Sequence, residues 1–381
     1  MKRALYYILS SALLTVLVLG ILLAVSCSPH SMGEATPQQD SLDVQEARAI
    51  HEECNSAYWW RTVFQLDSTE RQFLQVHDVG RLYIRLFDVV GNTLLGDDKM
   101  RTEEIVPNAT ISFKDSVPVP HVVPTVYITT DALRRMGRAR QGWAEKILTR
   151  VMNMCSYNGI TGVEELQLDC DWTASTRGLF FSLCSDIKAA MAARDDTREM
   201  TLSSTIRLHQ LSQSPPPVDC GVLMLYNTGS FRKPGTKKNS LLSYDDVAPY
   251  LDKLQDYPLH LDFAYPVYRW ALVYRNDHFE GLLRDTDLAS LQTEKRKDGR
   301  YRVMQDGYIG GKKVMKDDII RIENSDYNTV MKVKNAIEQR VDGNHATILY
   351  HLATDNITRY KEAEINEMYK CHGPRGSRFL R

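Results

Sequence analysis

The sequence predicts an α/β fold, a (β/α)8 TIM-type barrel with a small β-rich insertion between strands seven and eight. Apolar or alternating segments of strand length recur eight times after residue 56, and helical patterns lie between several of them. The chain has 381 residues, which is enough for one barrel with insertions. The eight predicted strands are 57–66, 81–90, 121–130, 163–172, 201–211, 221–227, 258–266 and 346–353.

Four segments between these strands have helical periodicity. In a helix, apolar side chains three and four residues apart share one face, as Val330, Val333 and Ile337 do within 328–341. Strand and helix therefore alternate as a barrel requires. The other helices are predicted at 131–154, 175–192 and about 243–255, where serine, threonine or aspartate stands at the start as a capping residue.

Two segments do not fit the alternation and are predicted as insertions. Residues 284–326 contain short alternating runs broken by Asp-Gly and Gly-Gly, which predicts a β-rich insertion after strand seven. Residues 91–120 are loop-like and contain proline.

Residues 1–26 predict a targeting segment, because Lys2 and Arg3 precede a long apolar run that ends at Cys27. This arrangement resembles a bacterial lipoprotein signal peptide, in which the cysteine becomes the lipidated first residue. Ala24 stands where leucine is more usual, so an uncleaved signal anchor is the alternative. Both interpretations place the rest of the chain outside the cytoplasmic membrane, in the bacterial cell envelope, with the membrane as a partner.

The remaining chain divides into a polar tether at 27–45 and the barrel at 46–381. Six cysteines follow Cys27 without CxxC or Cys/His spacing, which favours buried thiols, with or without one disulfide, over a metal site. No cofactor motif is predicted. The formal net charge is −1 with dispersed basic residues, which argues against nucleic acid as a partner.

Polar residues alternate with apolar ones on three predicted strands. Asp169 and Asp171 alternate with leucine and cysteine in one strand, Arg207 and His209 lie in the next, and Asp262 lies in the seventh. Because the apolar faces must cover the helices, the polar faces point into the barrel. Their last members are then expected at the carboxyl-end mouth, where barrel enzymes place their sites.

The segment around Asp169 resembles the strand-four motif D-x-x-D-x-D-x-E of glycoside hydrolase family 18, the chitinase-like barrels. Asp169, Asp171 and Trp172 match that motif. Three further segments are similar in order: MLYN at 224–227 resembles the strand-six motif, PVY at 266–268 resembles the end of strand seven, and Tyr350 stands where the family has a tryptophan. The chain also looks like uncharacterised bacterial lipoprotein relatives of these barrels.

The resemblance implies a role for each matching residue. In the family, the motif glutamate protonates the glycosidic oxygen while the acetamido group of the substrate attacks, and the last aspartate stabilises the intermediate. Asp171 takes the position of that aspartate and Tyr226 that of the acetamido-binding tyrosine. Thr173 replaces the glutamate and cannot deliver a proton, and Leu166 replaces the first aspartate. The resemblance therefore implies a glycan-binding protein without chitinase-type catalysis.

Two alternatives remain at the level of sequence. In the first, the protein hydrolyses glycosides with Asp171 and an acid recruited from another strand, namely Asp262, Asp88 or His209. In the second it is a structural or protein-binding lipoprotein with the β-rich insertion as its recognition surface. The polar faces can also be a purely structural ion-pair network, in which Arg85 and Arg207 neutralise the carboxylates of Asp169, Asp171 and Asp262. The candidate catalytic residues are Asp171, Asp169 and Asp262, and the candidate binding residues are Tyr226, Asn227, Arg207, His209, Tyr265, Tyr350 and the inward-facing member of Trp59 and Trp60.

Overall fold

The computed structural model describes residues 55–91, 105–232, 238–283, 286–341 and 345–370. The predicted signal peptide, the tether and Cys27 lie outside these ranges. Among the described residues, no helix combines the length and the apolar character needed to span a bilayer.

The described strands and helices follow each other as the sequence predicts. The strands are β1 (Asn55–Trp59), β2 (Val63–Phe64), β3 (Val79–Gly91), β4 (Ile105–Asn108), β5 (Ser112–Phe113), β6 (His121–Ile128), β7 (Glu165–Asp169), β8 (Thr201–Arg207), β9 (Cys220–Met224), β10 (Leu261–Pro266), β11 (Arg269–Arg275), β12 (His278–Leu283), β13 (Thr293–Lys295), β14 (Tyr301–Val303), β15 (Gly307–Ile309), β16 (Lys312–Val314), β17 (Ile319–Asn324) and β18 (Thr347–Tyr350). The helices are α1 (Ser68–Val76), α2 (Thr130–Met136), α3 (Arg140–Tyr157), α4 (Arg177–Ala192), α5 (Tyr244–Leu251), α6 (Tyr327–Glu338), α7 (Thr354–Ile357) and α8 (Glu362–Tyr369).

Eight parallel strands close into a barrel in the order β1, β3, β6, β7, β8, β9, β10 and β18. The barrel is closed because β1 pairs with both β3 and β18. Each strand predicted from the sequence coincides with one of these eight strands. The predicted (β/α)8 fold is therefore confirmed, with β4 added in antiparallel orientation outside β3.

The predicted helices are present, and one of them is divided. The segment predicted as 131–154 forms α2 and α3, which a 3-10 turn at Gly137–Ala139 separates. Gly137 has a φ of 48°, a left-handed conformation that glycine adopts readily. At the start of α2, the Thr129 hydroxyl accepts the Ala132 amide and caps the helix.

The insertion between the seventh and eighth barrel strands is a five-stranded antiparallel sheet with the order β12-β11-β17-β14-β13. A separate hairpin pairs β15 with β16. The sheet starts at Arg269, before the predicted start at 284, because the alternating segment of β11 follows β10 almost directly. The insertion has a small core of its own that includes Val273, Val303 and Ile320.

The strands of the barrel separate two apolar cores. Leu166 and Leu168 of β7 belong to the outer core between strands and helices. Gln167 lies between them in sequence and points inward, where its Oε1 accepts the Tyr58 hydroxyl of β1 at 2.7 Å. The alternation read from the sequence thus gives the correct face for β7. The inner core contains Tyr58, Trp60, Tyr83, Val123, Val222, Met224, Ala264, Ile348 and Tyr350.

Candidate functional site at the carboxyl end of the barrel

Arg207 joins the two aspartates of the motif at the mouth of the barrel. Its Nη2 donates to Asp169 Oδ1 at 3.0 Å, and its Nε donates to Asp171 Oδ1 at 2.5 Å. Asp169 also accepts the Thr205 hydroxyl at 2.5 Å. The side chain of Asp169 is 2% exposed, whereas that of Asp171 is 54% exposed. One carboxylate is therefore a buried support, and the other faces the solvent.

Burial controls the protonation of this cluster. Desolvation raises the pKa of Asp169, although Arg207 opposes the rise, because a buried carboxylate loses the water that stabilises its charge. Burial also disfavours the charged form of Arg207, but Tyr226, Asp169 and Asp171 outweigh it and raise the pKa of the guanidinium. Arg207 is therefore a permanent cation in the mouth.

Two tyrosines form one wall of the mouth. Tyr226 follows the end of β9 and Tyr350 ends β18, and their rings stack at 4.5 Å with an interplanar angle of 16°. The ring centres of Tyr268 and Tyr226 lie 6.1 Å apart in an edge-to-face arrangement, and the Arg207 guanidinium lies 5.3 Å from the Tyr226 ring centre. Burial raises the pKa of Tyr226 to about 12, so that its hydroxyl keeps its proton at neutral pH. Two of the three tyrosines predicted for the site, Tyr226 and Tyr350, therefore lie at the mouth.

A β-bulge brings a second charged pair into the mouth. The register between β3 and β6 shifts between Arg85 and Phe87, and this shift leaves Leu86 as the extra residue. Arg85 Nε then lies 3.6 Å from Asp88 Oδ1, and the Arg85 guanidinium lies 5.2 Å from the Trp60 ring centre. In a regular strand, Phe87 would share the inward face of Arg85 and Asp88 would point outward. The extra residue in the bulge reverses this order, so that Asp88 points inward. Trp60 is the inward-facing member of its pair, because Trp59 lies in the outer core.

The prediction that Asp262 lies at the mouth is wrong. Asp262 is the second residue of β10, at the amino end of its strand, and it is fully buried. Its Oδ1 accepts the Ala346 amide at 2.7 Å and lies 3.4 Å from His260 Nε2. Alternation gave the correct inward direction, but it does not give the height along the barrel axis.

Two predicted binding residues do not lie on the inner face of the barrel. Tyr265 is buried in the outer core, because the inward positions of β10 belong to Asp262 and Ala264. His209 is exposed on the 3-10 turn Leu208–Ser212, since β8 ends at Arg207 and not at the predicted residue 211. Neither side chain is placed to contact a ligand in the barrel.

Thr173 is held in the turn that precedes α4. Its hydroxyl lies 3.0 Å from the Ser175 hydroxyl and 3.4 Å from the Thr176 hydroxyl. Its carbonyl accepts the amides of Thr176 and Arg177. These bonds give the threonine a local structural role.

Asn227 is exposed after β9 with a φ of 54°, a conformation that asparagine tolerates better than most residues.

The sequence interpretation missed two residues of the site. Tyr127 of β6 is half-buried, and its pKa is raised by burial and then by Asp171 and Asp169, which places it beside them. Alternation within β6 could have identified it. Gln210 donates to the Trp172 carbonyl at 2.9 Å and accepts the Arg207 amide at 2.8 Å. It fixes the loop after β7 against β8, and no periodic pattern indicates this role.

In the part of the chain that the structure describes, no group of three or more histidine, cysteine, aspartate or glutamate side chains is arranged to hold a metal ion. Cys155, Cys170 and Cys184 are free thiols, and they are buried. Burial raises the pKa of the Cys155 thiol to about 12, so this thiol is unreactive at neutral pH.

No protein-family model and no curated protein matches this sequence. The Bacillus cereus spore cortex-lytic enzyme SleL is similar in structure, with 11% identity over 84% of this chain and 75% of its own and a TM-score of 0.47. A mutant family 18 chitinase from Cycas revoluta in complex with (GlcNAc)4 is similar with 13% identity over 83% of this chain and 99% of its own and a TM-score of 0.47. A Bacteroides thetaiotaomicron chitinase has 10% identity over 85% of this chain and 99% of its own, with a TM-score of 0.48.

At these identities the likeness concerns the fold alone. Each TM-score is below 0.5, so the resemblance to the family 18 barrels stays a prediction from the sequence motifs. The assignment of the barrel fold is based on the strand pairing of this chain.

Proposed function

We propose that this protein binds a glycan at the carboxyl-end mouth of the barrel and does not cleave it by chitinase-type catalysis. The carrying observation is the half-exposed Asp171 carboxylate, which Arg207 orients beside the half-buried ring of Tyr226. A sugar offers hydroxyl groups to a carboxylate and flat C–H faces to an aromatic ring. The mouth therefore combines the two kinds of contact that a sugar ring uses.

The proposal of binding without cleavage is supported by the environment of Thr173. A general acid must reach the leaving oxygen and must hold a transferable proton near neutral pH. The Thr173 hydroxyl meets neither condition, because it faces Ser175 and Thr176 in its own turn. Asp262 does not replace the acid, since it lies at the amino end of β10.

A second candidate function follows from the position of Asp88. The bulge in β3 places this carboxylate in the mouth beside Arg85, so that a recruited acid is available in principle for glycoside hydrolysis. Asp88 already forms an ion pair with Arg85, which opposes this role. We therefore rank hydrolysis below binding.

The binding proposal is tested by calorimetric titration of the purified protein with a panel of neutral and N-acetylated oligosaccharides. At least one saccharide should bind, and Asp171→Ala should weaken its binding about tenfold or more, because the exposed carboxylate is lost. Asp252→Ala is the matched control, since Asp252 is a surface carboxylate whose side chain is 91% exposed and which also pairs with an arginine. Equal weakening by both substitutions, or no binding by any saccharide, would overturn the proposal.

The attachment of the protein to the membrane is a separate proposal and rests on the sequence around Cys27. Metabolic labelling with a fatty-acid analogue should mark the wild type and should fail with Cys27→Ala. Labelling that persists in the variant would contradict lipidation at this residue.

A further inference from the structure

Two arginines on separate strands of the barrel wall converge on the mouth. Arg85 comes from β3 and Arg207 from β8, and their side chains are only 9% and 14% exposed. Both guanidinium groups act on the same buried carboxylate, because both lower the pKa of Asp169. They therefore belong to one charged cluster, although neither lies next to the other in sequence or in the sheet.

Each arginine is held against an aromatic ring. Arg85 lies 5.2 Å from the ring centre of Trp60, and Arg207 lies 5.3 Å from that of Tyr226. Both rings pack in turn on Tyr350, at 5.6 Å for Trp60 and 4.5 Å for Tyr226. Each guanidinium group is thus held by a ring that itself packs on Tyr350. Because the two side chains are already ordered, a ligand loses less free energy to ordering them on binding.

Each arginine also has a buried N–H group without an acceptor. Arg207 Nη1 has no hydrogen-bond partner although Nε and Nη2 are bonded, and Arg85 Nε has none. The Arg85–Asp88 separation of 3.6 Å is an ion pair that is too long for a hydrogen bond. A buried N–H without an acceptor destabilises the protein, so a ligand oxygen that accepts from it gains affinity.

The chemistry of these donors favours a carboxylate over a hydroxyl group. Guanidinium groups form paired, charge-assisted bonds with carboxylates, which are about twice as strong as bonds between neutral groups. The aspartates of the cluster oppose an incoming anion. Their effect is reduced, because the Asp169 carboxyl faces Thr205 and Arg207 and because burial raises its pKa.

We propose that the glycan bound at this mouth carries a carboxylate group, which Arg85 and Arg207 recognise. This inference rests on the proposed glycan-binding function and adds the chemical class of the ligand. The bulge in β3 then contributes to ligand specificity. Arg85 and Asp88 lie in the mouth together only because Leu86 is an extra residue in the strand.

The test compares acidic saccharides with neutral partners of the same backbone. Tetragalacturonate is paired with its methyl ester, and an alternating tetrasaccharide of N-acetylglucosamine and N-acetylmuramic acid is paired with chitotetraose. In at least one pair, the acidic member should bind at least tenfold more tightly in calorimetry at low salt. The preference should shrink as the salt concentration rises, because the extra contact is between charges.

Substitution of Arg85 tests whether this residue causes the preference for the acidic saccharide. Arg85→Gln should reduce the acid-to-neutral affinity ratio about tenfold, and Arg85→Lys should reduce it less, since lysine keeps the charge but loses the planar fork. Arg198→Gln is the matched control, because Arg198 pairs with Asp195 on an exposed surface and should leave the ratio unchanged. Thermal unfolding of each variant shows whether the fold is intact. The salt dependence of the wild type tests the proposal even if an Arg85 variant fails to fold.

The possible failures are distinguishable. If neutral saccharides bind and their acidic partners bind equally or more weakly in both pairs, the carboxylate inference is overturned and the glycan-binding proposal stands. If no saccharide of either kind binds, both are overturned. If the acidic preference is present but unchanged in Arg85→Gln and insensitive to salt, the assignment to the two arginines is wrong.

Discussion

At the amino end of the barrel, Asp262, Glu165 and Arg81 are 0%, 4% and 2% exposed. Asp262 and Glu165 both act on Tyr83, whose pKa is raised first by burial and then by these two carboxylates. At the carboxyl end, Arg207 similarly holds two carboxylates, but the side chain of Asp171 is 54% exposed. The two ends thus contain the same residue types with different access to solvent. A charged side chain in a barrel supports the fold when it is enclosed, and it can act on a ligand only where the solvent reaches it.

The largest expected effect tests the enclosed end. Asp262→Ala should lower the free energy of unfolding by about 3 kcal/mol, because it leaves the buried Ala346 amide without its acceptor. Asp171→Ala should cost less than about 1 kcal/mol, since its carboxylate is half exposed. Urea denaturation of both variants measures the difference. Equal losses of stability would remove the distinction between the two ends.

The next effect concerns the aromatic wall of the mouth. Tyr226→Ala should weaken the binding of a saccharide ligand by about 30-fold, which corresponds to about 2 kcal/mol, because it removes the ring between Arg207 and Tyr350. Tyr157→Ala, on the surface of α3, is the control and should bind normally, since Tyr157 is 90% exposed. Normal binding by Tyr226→Ala would place the ligand elsewhere.

A third effect concerns the pH dependence of stability that Asp169 causes. Burial raises the pKa of Asp169 in the folded state, so the folded protein holds this proton more tightly than the unfolded chain. Above the folded pKa, ionised Asp169 therefore costs stability, and the cost disappears as the pH falls towards the unfolded value of about 3.9. The stability of the wild type relative to Asp169→Asn should fall as the pH rises from about 4 to 7, by about 1.4 kcal/mol per unit of pKa shift. A flat difference across this range would show that burial does not govern Asp169.

The smallest expected effect is that of Thr173. Thr173→Val removes the hydroxyl contacts with the exposed Ser175 and the buried Thr176, and it should cost about 0.5 kcal/mol of stability. Saccharide binding should not change, because the hydroxyl serves its own turn. A tenfold loss of affinity in this variant would show that Thr173 contacts the ligand.

Much of the fold could be predicted from the sequence because its signals are local. Alternation identified the barrel strands and the inward face of β7, where Gln167 lies between two outward leucines and Asp169 follows on the same face as Gln167. The same rule would have excluded Tyr265 if it had been applied together with the inward position of Asp262. Alternation shows on which face of a strand a residue lies, but it does not show where along the barrel axis the residue lies. Asp262 was therefore predicted at the wrong end of its strand.

The remaining errors depend on features that no periodic pattern contains. The end of β8 at Arg207 moves His209 out of the barrel, and the bulge at Leu86 moves Asp88 in. Both are departures from regular strand geometry that depend on neighbouring strands. By contrast, the bonds of Arg207 to Asp169 and Asp171 agree with the ion-pair network that the sequence analysis offered for these residues.

The release of new reducing ends during prolonged incubation tests the central claim most directly, namely that the mouth binds a glycan without cleaving it. Each saccharide that binds in calorimetry is incubated with the wild type and with Asp171→Ala. The account predicts that binding is detected for the wild type and that its release of reducing ends stays at the level of the variant. Release that is clear in the wild type and disappears in Asp171→Ala would contradict the account and would show that another residue supplies the acid that Thr173 lacks.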